Sequence, residues 1–309
     1  MFDFIQKLAS IFPRYGVDEM RAAKVIADEL TSNNITYVEE KFKASVPRII
    51  NANLFVDGVE VPCLGSSFAT GDIESNKFLI DSLNDPEEHL PYSIGYSSAS
   101  DEISVVSFFD EPSVTVSKKY IPQIKLAKTV FGHVEVAQEK FNTENILVGN
   151  TINPKNIIVA HFDSIIGPGA MDNAAAVSVL MEIIKTNQSI LQDNLFLFSG
   201  NEEISYEKLP YSGHGYREFE SLHSPQLDSA YQIIVVDGIG ISSPNFTQEQ
   251  LDIVLQFKSL NSLRSKIYWL QNDQSLVLQN YHSLTDTIDK INPIFLEEAK
   301  DLLIKKIIL

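Results

Sequence analysis

Three short runs of apolar residues in the second half of the chain have the length and composition of buried β-strands. They cover residues 156–160, 195–199 and 233–236, and the segment 174–185 between the first two is rich in the helix-forming residues Ala, Val, Leu and Ile. Continuous apolar runs of this length are typical of parallel strands that have helices on both faces. The alternation of such strands with helices predicts an α/β fold with a mixed, mostly parallel central sheet.

The first part of the chain has a different pattern. Residues 17–31 repeat apolar positions at helical spacing, which predicts an amphipathic helix. From about residue 36 to 120, short β-rich runs such as 52–56 and 103–109 are broken by turn residues, and the acidic stretch 84–88 is typical of a loop. We therefore expect one main domain with a small β-rich lobe inserted over 47–115. N-terminal helices over 1–46 belong to the main domain, and residues 116–309 form the largest part of it. A helix that begins at Asn292-Pro293 is expected to close the chain.

The composition excludes several classes of protein. The chain has 309 residues, 44% of them hydrophobic, and this is sufficient for a continuous core. Its formal net charge is −17 and it contains no Lys/Arg cluster, so it lacks the basic face that a nucleic-acid partner requires. No apolar run approaches the roughly 18 residues that span a bilayer, and the N-terminus does not resemble a signal peptide. We expect a cytoplasmic protein with no nucleic-acid or membrane partner, and the oligomeric state is unknown.

Polar residues able to bind a metal ion follow each of the three apolar runs. His161-Phe162-Asp163 follows the first, Glu202-Glu203 follows the second, and Asp237 follows the third. Ligands of open α/β sheets bind beyond the carboxyl ends of the strands, where these side chains are expected to meet. Each residue also has a simpler explanation as a structural histidine or a surface acid, but their shared position favours a centre for two metal ions.

Two neighbouring features support this interpretation. Residues two apart in an extended segment point the same way, so Asp163 can accept the second N–H of the His161 ring. Asp172 lies eleven residues after His161 (172 minus 161), beyond a turn that contains Gly and Pro. A turn of this kind can return the Asp172 carboxylate to the same strand end, although a helix-capping role for Asp172 is equally compatible with the sequence.

Five segments of the chain together resemble the motifs of the family-28 zinc metallopeptidases, the aminopeptidase family. They cover residues 160–164, 169–173, 201–203, 236–240 and 281–287. Pro13-Arg14, Val46-Pro47, residues 145–149 and the closing helix are also similar, so the resemblance covers most of the chain. It implies a three-layer α/β/α fold of the phosphorylase/hydrolase type.

The resemblance also implies a role for each candidate residue. Asp172 would bridge two Zn²⁺ ions, or other divalent metals such as Co²⁺. Glu202 would act as general base and acid, Asp163 would orient His161, and Tyr281 would help to stabilise the oxyanion. The remaining metal ligands implied by the resemblance are His161, Glu203, Asp237 and His282.

The activity implied by the resemblance is that of a zinc-dependent aminopeptidase acting on peptides with a free N-terminus. A glutaminyl cyclase-like acyl transferase, which works with one zinc in this fold, and a carboxypeptidase are alternatives on the same scaffold. A non-catalytic binding module is an alternative from another class. The aromatic segment 204–220, which includes Tyr206, Tyr211 and Tyr216, is predicted to wall the substrate pocket.

Overall fold

A computed structural model of the protein describes residues 1–83, 90–207 and 211–308. The acidic stretch 84–88 and residues 208–210 of the aromatic segment lie outside the described residues. The strands are β1 Val38–Val56, β2 Val59–Glu60, β3 Cys63–Gly65, β4 Gly71–Ile73, β5 Leu79–Asp81, β6 Ser93–Tyr96, β7 Ser113–Val116, β8 Val130–Gly149, β9 Asn156–His161, β10 Asn194–Ser199, β11 Gln232–Val236, β12 Asn245–Thr247 and β13 Ile267–Gln271. The helices are α1 Phe2–Ala9, α2 Glu19–Ser32, α3 Ile121–Leu126, α4 Ala175–Thr186, α5 His214–Ser229, α6 Leu251–Val254, α7 Leu260–Leu263, α8 Gln274–Val277 and α9 Pro293–Ile308.

The chain divides into two compact units. The first unit consists of Met1–Val46, Lys140–Val277 and Asp286–Leu309, and the second consists of Pro47–Glu139 and Leu278–Thr285. The second unit is larger than the insert expected from the sequence, because it continues to Glu139 and takes in a short segment from near the end of the chain. The long strands β1 and β8 each contribute residues to both units.

The sheet of the first unit confirms the expected fold class. Its strand order is β12-β13-β11-β9-β10-β8-β1. The central strands β13, β11, β9 and β10 are parallel, whereas β12 is antiparallel to β13 and β8 is antiparallel to β10. The α/β fold with a mixed, mostly parallel sheet is therefore present as predicted.

Both faces of this sheet are buried against helices, which explains why the central strands are apolar at successive positions. Odd-numbered residues such as Ile157 and Leu197 join a core cluster with Tyr216 and Phe219 of α5 and with residues of α6 and α7. Successive side chains of a strand point to opposite faces, so the even-numbered residues face the other way. On that other face α4 packs against β9, and α1 and α9 pack against α4.

The second unit has its own sheet and its own core. Strands β3, β7, β6 and β5 form this sheet in that order, with β3 antiparallel to β7 and the other pairs parallel. Strand β4 pairs with the β8 residues Gly132–134, and β2 forms a hairpin with the end of β1. An apolar cluster that includes Leu54, Ile94, Val114 and Ile124 fills the interior of this unit.

The elements expected from periodicity are confirmed for helices α2 and α9 and for strands β9, β10 and β11.

Three local expectations are wrong. Residues 103–109 form no strand, because only Ser104 and Phe109 make isolated bridges. Asp172 does not cap α4, since the N-cap position is Ala174. Tyr216 cannot wall a pocket, because it is fully buried in the core beneath the sheet.

Among the described residues, no helix combines the length and the apolar character needed to cross a membrane.

Gly215, near the start of α5, allows this helix to lie against the turn that follows β10. A Cβ atom at Gly215 would lie 1.9 Å from the carbonyl oxygen of Gly200 and 2.4 Å from the Ser199 hydroxyl. Replacement by alanine is therefore expected to destabilise the protein by about 1–3 kcal/mol through overpacking, measured by urea unfolding. The exposed Ser221 on the same helix provides the control, because S221A is expected to change stability by less than about 0.5 kcal/mol. Equal stability of G215A and S221A would contradict this account of the packing.

Candidate metal centre

The carboxyl ends of three parallel strands bring the candidate residues to one edge of the first unit's sheet. His161 is the last residue of β9 and pairs with Ser199, the last residue of β10. The Phe162 N–H donates to the Ser199 carbonyl at 2.9 Å, so the two chains leave the sheet side by side. Asp237 follows directly after β11, the neighbour of β9 on its other side. The strand-end positions expected from the sequence are therefore adjacent in the structure.

Two carboxylates, those of Asp172 and Asp237, lie close to the Nε2 atom of the His161 ring. Its Nε2 is 3.1 Å from Asp172 Oδ1 and 3.5 Å from Asp237 Oδ2, and the three ligand atoms lie within 4.8 Å of one another. Two ligands bound to one tetrahedral zinc ion at about 2.1 Å are themselves about 3.4 Å apart. The three residues are spaced as ligands of a single ion would be, and their chemistry of one imidazole and two carboxylates suits zinc.

Asp163 holds the opposite side of the same ring. The His161 Nδ1 lies 3.3 Å from Asp163 Oδ1, and the other oxygen of Asp163 accepts the backbone N–H of Glu203 at 2.9 Å. The Asp163 side chain is fully buried, so both contacts are shielded from water. Asp163 thereby links the His161 ring to the Glu202-Glu203 segment, consistent with the orienting role expected from the sequence.

The Glu202-Glu203 pair is presented by a tight turn after β10. Asn201 has a left-handed backbone (φ 47°), its carbonyl accepts from Gly215 N–H at 3.1 Å, and the Glu202 carbonyl accepts from Gly213 N–H. Glu202 is only 7% exposed. Burial raises the pKa of the Glu202 carboxyl well above its ordinary value; His161 opposes this effect, and nearby acids reinforce it. A buried carboxyl with a raised pKa is suited to accept a proton and to return it.

Asp172 lies in a short turn, Ala170–Ala174, just before α4. Its carboxylate lies near both His161 and Glu203, since their ligand atoms are within 4.8 Å of Asp172. The side-chain amide of the next residue, Asn173, donates to the Val236 carbonyl at 3.0 Å and connects the turn to the end of β11. Among the candidate ligands of the first unit, Asp172 is therefore the acid that lies close to His161, to Asp237 and to Glu203.

The protonation of His161 reflects the charges around it. Burial lowers the pKa of the imidazole, but the hydrogen bonds with Asp163, Asp172 and Asp237 outweigh this effect and raise the pKa well above its ordinary value. Such an acid-rich, buried setting requires a cation, and a divalent metal ion bound by these residues would meet that requirement.

Tyr281 and His282 belong to the second unit. The His282 Nδ1 lies 3.0 Å from the Val105 carbonyl, an acceptor, which places the ring proton on Nδ1 and the lone pair on Nε2. The rings of Tyr281 and His282 are stacked with centroids 3.6 Å apart, and His282 has a left-handed backbone with φ 46°. The ligand role of His282 and the oxyanion role of Tyr281 stay predictions of the family resemblance.

Three buried charged residues near the centre received no role from the sequence. Arg14 is fully buried and bonds to backbone carbonyls of the segment between His161 and Asp172. Asp286 accepts from the backbone at Asp172. Glu19, the first residue of α2, accepts from the Thr143 hydroxyl and from the backbone at Asn201, and burial raises its pKa well above its ordinary value. Arg14 and Asp286 stood in motifs that resemble the family, but no local pattern indicated what they would contact.

The fold and these residues together define an α/β protein with a candidate zinc centre at the carboxyl edge of its sheet. Residues 145–276 match the family model described as Peptidase family M28. The matched segment contains His161, Asp172, Glu202, Glu203 and Asp237. The match confirms the family resemblance over this segment of the chain. No curated protein sequence matches the chain significantly.

Solved structures show the same fold at low sequence identity. A zinc aminopeptidase from Bacillus subtilis aligns with a TM-score of 0.68 at 15% identity, covering 98% of this chain and 92% of that one. An aminopeptidase from Aneurinibacillus sp. strain AM-1 aligns with a TM-score of 0.62 at 15% identity, covering 97% and 90%. A glutaminyl cyclase from an Acidobacteriales bacterium aligns at 0.54 and 12% identity, covering 99% and 92%. The likeness therefore extends to two kinds of enzyme on one fold.

Asp163 is expected to control metal affinity without binding the metal itself. The variant D163N retains the shape of the side chain but removes the charge that orients His161, so zinc affinity is expected to fall about 10- to 100-fold. Competition with a chromophoric chelator measures this change. The control is D193N, which removes an exposed carboxylate before β10, at the opposite end of the sheet. Unchanged zinc affinity in D163N would show that the His161–Asp163 contact has no influence on the metal.

Proposed function

We propose that the protein is a zinc-dependent aminopeptidase that binds two zinc ions per chain and removes N-terminal residues from peptides. The observation that carries this proposal is the set of His161, Asp172 and Asp237, spaced as zinc ligands, of which the first two are buried and the third is partly buried, with Glu202 buried close to His161. The M28 family match of the segment that contains these residues supports a peptidase. The aminopeptidases among the structures of the same fold support the choice of exopeptidase.

In this proposal His161 and Asp237 hold one ion, and Asp172 is shared with the second. Glu203 and His282 complete the set, with His282 assigned on the sequence resemblance. Three carboxylate ligands against two dications leave a single positive charge, which one hydroxide would neutralise. Zinc ions at such a site lower the pKa of water towards neutrality and polarise the scissile carbonyl.

The residues of the chain have separate tasks in the reaction. Glu202 accepts a proton from the water whose oxygen bonds to the scissile carbonyl carbon, and it delivers this proton to the amine nitrogen as the C–N bond breaks. Its raised pKa suits both transfers. Asp163 fixes the His161 ring so that Nε2 faces Asp172 and Asp237. The surrounding carboxylates favour a cationic α-amine, so we expect a preference for free N-termini over blocked ones. In this scheme Tyr281 stabilises the oxyanion.

The substitution E202Q separates metal binding from turnover. It is expected to leave zinc content unchanged and to lower kcat on aminoacyl p-nitroanilides by about 10²- to 10⁴-fold, because the amide cannot accept the proton. The exposed Glu249 gives the matched control E249Q, with activity expected near that of the wild type. N-acetylated substrates and substrates cleaved from the C-terminus are measured in parallel. Near-normal turnover by E202Q would remove Glu202 as the base, and preference for a free C-terminus would indicate a carboxypeptidase.

The zinc content of the purified protein distinguishes the competing activities. Two ions per chain, with activity abolished by chelation and restored by zinc, are expected for the aminopeptidase. The variant H282A is expected to reduce the content to one ion, whereas H133A, at a half-exposed histidine of the same unit, is expected to retain two. One ion in the wild type would favour a glutaminyl cyclase-like enzyme, and none would favour a non-catalytic binding module.

A further inference from the structure

The segment between His161 and Asp172 is held by two buried side chains, the guanidinium of Arg14 and the carboxyl group of Asp286. Arg14, between α1 and α2, contacts its first part through carbonyl oxygens. Asp286, between α8 and α9, contacts its last part through amide groups. All of these residues belong to the first unit. The segment between His161 and Ala170 contains no regular strand or helix, so its conformation depends on these contacts.

Arg14 uses several of its N–H groups on backbone oxygens. Its Nε donates to Phe162 O at 2.9 Å and its Nη2 to Gly169 O at 2.9 Å, while Nη1 donates to Pro168 O and also lies 3.4 Å from Leu8 O. The backbone of Arg14 also pairs with Ser164 in both directions, at 2.8 and 3.1 Å. The guanidinium thus joins the beginning and the end of the 162–169 loop at a fixed separation.

Asp286 makes the complementary contacts. Its Oδ1 accepts from Met171 N–H at 2.8 Å and its Oδ2 from Asp172 N–H at 3.1 Å. Its own carbonyl accepts from Ala170 N–H at 3.2 Å. Three consecutive amide groups, ending at Asp172 itself, are therefore held by one buried residue. This arrangement determines the direction in which the Asp172 side chain leaves the backbone.

The two side chains also balance charge at this edge of the sheet. Arg14 is fully buried, and a buried cation is strongly unfavourable unless anions lie close by. Burial lowers the pKa of Arg14, and the nearby carboxyl groups of Asp286, Asp163, Asp172 and Glu203 oppose this effect. A Cβ atom at Gly169 would come within 2.7 Å of Arg14 Nη2, so the loop is packed directly on the guanidinium.

From these contacts we propose that Arg14 and Asp286 are positioning residues of the metal centre: together they place Asp172 opposite His161 before any metal binds. The proposal rests on the proposed function, because it takes His161 and Asp172 as ligands of a common centre. Neither Arg14 nor Asp286 is proposed to contact metal or substrate. The loss of either is expected to weaken metal binding by letting Asp172 depart from its place, in addition to any loss of stability.

Zinc affinity of the variants R14M, R14K and D286N tests this proposal. R14M removes the charge and the donors, whereas R14K keeps the charge but replaces the planar fork with a point charge. We expect the zinc Kd to rise at least about tenfold in R14M and D286N, as for the loss of other groups that orient metal ligands. A smaller rise is expected in R14K. Competition with a chromophoric chelator gives the Kd, and the visible spectrum of the Co²⁺-substituted proteins reports ligand geometry directly.

A matched control separates positioning from general stability. Asn156 is fully buried at the opposite end of β9, where its amide donates to Asn194 and to Ile307 O. N156A is expected to lower the melting temperature of the metal-free protein while leaving the zinc Kd within about twofold and the cobalt spectrum unchanged. Hydrogen exchange in the metal-free proteins should speed up at residues 170–172 in R14M and D286N, but not in N156A.

Failure of the positioning role and failure of the proposed function would give different results in these experiments. Variants at Arg14 and Asp286 that melt earlier but keep the wild-type zinc Kd and cobalt spectrum would show that the two residues only stabilise the fold. If R14M does not fold, the milder R14K and D286N decide the question. A wild-type protein that binds zinc without cleaving peptides would contradict the proposed function alone. An active wild type with no change of zinc Kd in the variants would contradict the positioning role alone.

Discussion

Buried negative charge at the carboxyl edge of the sheet is the constraint on which the rest of the structure depends. Carboxylates removed from water destabilise a fold unless cations or hydrogen-bond donors compensate them. At this edge the described residues provide few cations, chiefly Arg14 and His161, whereas the acids come from four separate parts of the first unit. Backbone amides compensate some of the acids, as at Asp286 and Asp163. A divalent metal ion bound among the remaining acids would compensate their charge. These acids are the buried Asp163, Asp172 and Glu202 and the partly buried Glu203 and Asp237.

The parallel centre of the sheet is what allows so much charge to converge. Strands β9, β10 and β11 all end at the same edge, so three connections begin within a few ångströms of one another. The close approach of α5, permitted by Gly215, then fixes the turn that carries Glu202 and Glu203. Helix α2 supports the same turn from another direction through Glu19 and the backbone at Asn201. The position of the proposed base is thus determined by packing rather than by the loop alone.

The sequence predicted the central strands and the convergence of the candidate ligands that follow them, because a strand buried on both faces has a distinctive apolar run and parallel strands end at one edge of the sheet. It did not predict the role of Arg14, whose partners lie about 150 positions further along the chain and leave no local trace. The β-rich run 103–109 forms no strand, although Val105 and Phe109 are buried, because burial at these positions comes without a neighbouring strand to pair with along its length. The sequence also did not predict that Leu278–Thr285 belongs to the second unit, because this depends on tertiary packing between distant segments.

The orientation of the His161 ring gives the strongest argument for a cation at this centre. The Asp163 carboxylate accepts a hydrogen bond at Nδ1, which leaves the lone pair of a neutral imidazole on Nε2. That lone pair would face the oxygens of Asp172 and Asp237 at 3.1 and 3.5 Å, an arrangement of three acceptors that is repulsive without a positive charge among them. Either a proton on Nε2 or a metal ion bound by all three atoms relieves the repulsion. The raised pKa of His161 corresponds to the first alternative, a proton on Nε2. A metal ion that takes the place of this proton provides the second, and metal binding here is therefore coupled to proton release.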